Sequence, residues 1–105
     1  MDQTEWLNRS VEERLEWYTS EIDRLIRSLD ASETKSSKEI LQEIKKRMIF
    51  DGTPSDNRMS EESEKQKGYY KSIYKAYKTL PNVGDDQEEW NDNLARSKEI
   101  LNTTA

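Results

Sequence analysis

Between residues 4 and 30 the apolar side chains Leu7, Val11, Leu15, Tyr18, Ile22, Leu25 and Leu29 recur at steps of 4, 4, 3, 4, 3 and 4. That spacing puts them in one stripe of an α-helix of about seven turns. Ser10 followed by Glu13 is also a capping box, which leaves open whether 4–9 is a separate short turn or the start of one continuous helix. A polar break at 30–38 follows, and Ser36 with Glu39 predicts a second helix over 37–50, carrying Ile40, Leu41, Ile44 and Met48. Gly52 and Pro54 then predict a flexible loop at 51–59.

Ser60 and the acids behind it open a third predicted helix, 60–80, which stops at Pro81 and Gly84. Asp85 or Asp86 caps a fourth, 86–101, whose stripe is Trp90, Leu94 and Leu101. The expected fold is a single all-α domain over 1–105, a small bundle of about four helices with short loops and a long amphipathic first helix.

Composition narrows the chemistry. The 105 residues include no cysteine and no histidine, so disulfides, thiolate metal sites and the commonest general base are absent. No apolar run is long enough to cross a membrane, and a cytoplasmic protein is expected. Leu, Ile, Val and Phe number only 18, so the core has to be completed by three Trp and five Tyr. Glu13-x-x-Glu16 and Glu89-x-x-Asp92 resemble the carboxylate pairs with which all-α nucleotide pyrophosphohydrolases hold magnesium. The two pairs lie too far apart in sequence for that family's pattern, however. No catalytic residue, metal or cofactor is assigned.

Two features stand out from the bundle pattern. Trp6 and Trp17 are eleven residues apart, on one line of a continuous helix but off the leucine stripe. They are either core residues of a wider face or docking residues for a second protein. The stretch KQKGYYKSIYKAYKTL, 65–80, holds five lysines, four tyrosines and no acid in a chain of net charge -5. On a helix, Tyr69, Ile73, Ala76, Tyr77 and Leu80 form one face, Tyr70 and Tyr74 its border, and Lys67, Lys71, Lys75 and Lys78 a stripe beyond.

Three uses of this stretch follow. Its lysines pair with Asp85, Asp86, Glu88, Glu89 and Asp92 across an antiparallel hairpin; or Tyr70, Tyr74, Lys71 and Lys75 join Trp6 and Trp17 in binding another protein; or the stripe binds nucleic acid. Binding of nucleic acid is disfavoured by the net negative charge and the scarcity of arginine. The functional expectation is a non-catalytic protein-binding module acting as an adaptor, regulatory subunit or small inhibitor. The cluster at 85–92 offers an alternative, an acidic mimic of DNA that blocks a nucleic-acid-binding protein. Self-association through Leu7, Val11, Leu15, Tyr18 and Ile22 is a further expectation.

Overall fold

The computed structural model describes residues 2–51, 64–82 and 86–103. Five helices account for nearly all of them: α1 (Gln3–Leu7), α2 (Val11–Asp30), α3 (Thr34–Phe50), α4 (Glu64–Thr79) and α5 (Gln87–Asn102). The described residues contain no strand. Ser60, the predicted start of the third helix, and 52–59 of the predicted loop lie outside the described residues.

The first helix is broken, not continuous. Asp2 caps α1 by accepting the Glu5 amide at 2.9 Å, and Ser10 caps α2 by accepting the Glu13 amide at 3.1 Å. The chain turns between them, and the consequence shows in the indoles. Three turns along one helix would separate Trp6 from Trp17 by about 16 Å. Their ring centroids are instead 5.2 Å apart, edge to face.

The α2–α3 turn explains why α3 starts at Thr34 and not at 37. Ser32 takes the left-handed conformation (φ 60), and the amides of Ser32 and Glu33 reach back to the carbonyls of Leu29 and Ser28 at 3.0 and 2.9 Å. This is a Schellman closure with serine in the position glycine usually fills, and it feeds straight into the next helix. Ser36 therefore caps nothing. Ser37 instead sits buried, bonded to the Ser28 hydroxyl at 2.9 Å and to the Glu33 carbonyl.

Around the bundle α2 packs on α3 and α5, and α4 packs on the same two helices, so α2 and α4 are diagonal. Cross-helix bonds fix the directions. Lys98 to Asp23 and Gln87 to the Leu29 carbonyl run α5 antiparallel to α2. Ser97 to the Ala76 carbonyl and the Trp90 indole to the Asn82 carbonyl do the same for α4 and α5. The core is Tyr18, Ile22, Leu25, Leu41, Ile44, Met48, Ile73 and Leu94 with Trp6 and Tyr69 at one end and Trp90 at the other. Leu7, Val11 and Leu15 pack partly buried against it, and Tyr18 and Ile22 are wholly inside. Of the seam considered for self-association, Tyr18 and Ile22 are thus used within the chain.

Candidate functional site

One end of the bundle is built around a carboxylate. Asp51, the residue after α3, is fully buried, although the sequence placed it at the start of a flexible loop. Its Oδ1 accepts from Arg14 Nη1 at 2.5 Å. Its Oδ2 accepts from Trp6 Nε1 at 3.2 Å, from the Tyr69 hydroxyl at 2.8 Å and from the Tyr18 hydroxyl. These donors come from α1, α2 and α4, so a single acid ties four helices together. An acid at a helix C-terminus opposes the dipole, and a buried one loses its hydration. Four donors, one of them a guanidinium 4.8 Å from the Tyr69 ring, offset both costs.

The cluster perturbs its own titrations. Burial, reinforced by the Asp51 charge, pushes the hydroxyls of Tyr18 and Tyr69 well above the ordinary tyrosine range. Burial opposes the charge on Arg14, but Tyr69, Asp51 and Tyr70 favour it, and the guanidinium is held above its ordinary value. Three clefts among the described residues are lined by other side chains. The evident work of the network is to hold the fold.

A pH dependence follows. Below pH about 10 both tyrosines are neutral whether folded or unfolded, and stability is unaffected. Above it the unfolded chain releases two protons that the folded chain retains, so stability falls by up to about 2.7 kcal/mol per pH unit. Denaturant titrations from pH 8 upward should show a plateau and then this descent, with the phenolate absorbance of Tyr18 and Tyr69 appearing only as the protein unfolds. Early ionisation of all five tyrosines without unfolding would contradict the buried network.

Beside the network, Trp6, Trp17 and Tyr18 meet edge to face at 5.2 to 5.5 Å. The Arg47 guanidinium lies 5.6 Å from the Trp6 and Phe50 rings and 5.7 Å from Trp17, and is paired with Glu43 at 2.5 Å. Trp6 is fully buried and Trp17 half-buried. Trp6 therefore drops out of the expected docking surface, because the break at 8–10 folds it inward. Tyr70 drops out with it: expected at the border of its helix, it is buried edge to face on Tyr69 at 5.1 Å.

The remaining candidates lie outside. Lys71 and Lys75 are exposed, and Tyr74 is half-buried with the Lys78 ammonium 4.6 Å from its ring centre. Asp86, Glu88, Glu89 and Asp92 are exposed at the start of α5, where Asp86 accepts the Glu88 amide at 2.7 Å; Asp85 lies outside the described residues. The α4–α5 hairpin forms as expected, but none of these four acids pairs with Lys75 or Lys78. Helix geometry explains the correction. Ala76 faces α5, and Lys78, two residues on, points about 160° away from it. Nor do Glu13, Glu16, Glu89 and Asp92 converge: the first pair is near the Asp51 end and the second near the opposite end, and no metal-binding cluster occurs among the described residues.

What the packing does bring together is charge of one sign. The neighbours α3 and α4 each carry five basic residues, against two acids and one. Their other two neighbours, α2 and α5, carry six acids against three bases and four against two. Among the described helices, charge is thus divided between a basic pair, α3 and α4, and an acidic pair, α2 and α5. Between α3 and α4 runs a groove of about 280 Å³ lined by Lys45, Tyr77, Lys78, Leu80 and Asn82.

Sequence reasoning missed Asp51, Arg14 and the hydroxyls of Tyr18 and Tyr69. Two signals were present: Arg14 falls on the apolar stripe, three residues after Val11 and four before Tyr18, and Asp51 stands at the negative end of a helix. Compared with known proteins, the chain matches no family model, no curated protein and no solved structure.

Proposed function

We propose that the protein is a non-catalytic, cytoplasmic protein-binding module that acts as an adaptor, regulatory subunit or small inhibitor by covering a partner's surface with the outer face of α3 and α4. The observation that carries this reading is the sorting of charge onto two halves of one bundle. A solvated surface without a binding role has no need to gather lysines against its own net charge, and such gathering costs self-repulsion. Lys71, Lys75 and Tyr74 lie on this face.

The opposite half favours a second reading. Asp86, Glu88, Glu89 and Asp92 lie exposed on the acidic side, where they could stand in for DNA phosphates against a nucleic-acid-binding protein.

Affinity capture from the native source with tagged protein separates the two. Under the first reading K71E/K75E/K78E loses a stoichiometric partner that E88K/E89K/D92K retains. Under the second the losses are reversed, and a partner retained by both variants contradicts both readings.

A further inference from the structure

On α3, Lys45 lines the α3–α4 groove, and Lys38, Gln42 and Ile49 fall on the same helical line, spaced 4, 3 and 4. Lys45 also donates to Asn82 Oδ1 at 3.3 Å, which joins this stripe to the end of α4. Along α4 the matching stripe is Lys71, Tyr74 and Lys78, and no acid lies between residues 65 and 80. Because α3 runs from Lys45 to Asp51 while α4 runs from Asn82 back to Tyr69, Ile49 lies toward the Tyr74 and Lys71 end of the α3–α4 face, beyond the groove. Ile49 is 52% exposed, the one large apolar side chain left so open among the described residues.

The geometry points to an acidic, amphipathic peptide segment of a protein partner, seated along the α3–α4 face with its carboxylates on Lys71 and Lys78 and its apolar side chains on Ile49, Tyr74 and Tyr77. This inference rests on the reading of α3 and α4 as the docking face and adds the chemistry of what docks. Lys71 and Lys78, which pair with no described acid, call for a negatively charged occupant. The exposed isoleucine calls for an apolar one, and the two demands together describe a helix with an acidic and an aliphatic side. The stripe from Lys38 to Ile49 is about three turns long, which suits such a helix.

A nucleic acid fits less well. Tyr74 and Tyr77 are both half-covered, and Ile49 has no stacking surface to offer. The described lysines of this stripe also have no arginine among them to grip phosphate in the two-pronged manner.

The test is fluorescence anisotropy of the full chain with a labelled peptide of about four helical turns, its glutamates on one side and leucines on the other. A second peptide carries serine for every leucine, and a labelled oligothymidylate supplies the nucleic-acid comparison. Saturable binding of the Glu/Leu peptide is expected, weakened at least about tenfold by K71E/K78E, weakened by added salt, and not weakened by E88K/D92K. I49S should weaken it by a few-fold, and since all these side chains are exposed the variants should keep wild-type helicity.

Absence of saturable binding, equal binding of the serine peptide, or tighter binding of the oligothymidylate would each overturn the inference. The native capture experiment does not depend on the peptide. If K71E/K75E/K78E still loses a native partner there, the docking face stands and the occupant's chemistry is what failed.

Discussion

Asp51→Ala should leave most of the protein unfolded or molten at room temperature. The substitution removes one carboxylate and strands four donors: a buried guanidinium, two buried hydroxyls and an indole N–H. Breaking a buried ion pair by deleting one partner costs about 3–5 kcal/mol. Each unsatisfied hydroxyl adds about 1–3 kcal/mol. A domain of this size has about 5–15 kcal/mol to lose, and its apolar core is thin.

Thermal melts followed by circular dichroism should show a drop of roughly 20 °C or more, or no cooperative transition at all. The mechanism has its own control. Adding Arg14→Met to Asp51→Ala removes the stranded charge and should restore part of the lost stability, even though the double variant has one more substitution. If Asp51→Ala costs no more than about 1 kcal/mol, the buried network does not hold the bundle.

Trp6→Ala should cost about 3–5 kcal/mol, the range for truncating a large buried aromatic residue. The indole fills the space between α1, α2 and α3, meets Trp17 and Tyr18 edge to face, lies under Arg47 and donates to Asp51. A five-residue helix has no stability of its own, so loss of this anchor should detach α1 altogether. Trp17 would then be uncovered. Denaturant titration measures the cost, and the emission of the remaining tryptophans should shift to the red as Trp17 meets water. Trp6→Phe separates packing from bonding: it keeps a ring in the cavity, loses the N–H, and should cost about 1–2 kcal/mol. A Trp6→Ala protein with unchanged stability and emission would mean that α1 is not docked as described.

The elements were legible in the sequence because their signals are local. The stripe of α2 and the caps at Ser10 and Asp86 depend on neighbours within a turn or two, and the α4–α5 hairpin is set by a short connection. The start of α3 was misplaced because Ser36 with Glu39 reads locally as a capping box, whereas the left-handed turn at Ser32 lets the helix open at Thr34. The polar network was illegible for a different reason. Arg14 and Asp51 are 37 residues apart, and each violates a local rule until the other is beside it.

The proposed docking face divides in the same way. Lys71, Lys75 and Tyr74 could be placed on the outside of α4 from periodicity alone. That Tyr70 turns inward depends on its packing against Tyr69, and that Trp6 does depends on the break at 8–10. The division into a basic and an acidic half could not be read at all before it was known that α3 adjoins α4 and α2 adjoins α5. Chain order gives the hairpins, but only packing shows which sides of them share a surface.

The central claim, that the protein binds a partner through the basic half, is tested most directly by quantitative capture from the native source with wild-type protein, K71E/K75E/K78E and E88K/E89K/D92K side by side. The account predicts one stoichiometric partner bound by the wild type and the acid-reversed variant and lost by the lysine-reversed variant. A partner that stays with the lysine-reversed variant and leaves the acid-reversed one would contradict it and assign the binding to the acidic half.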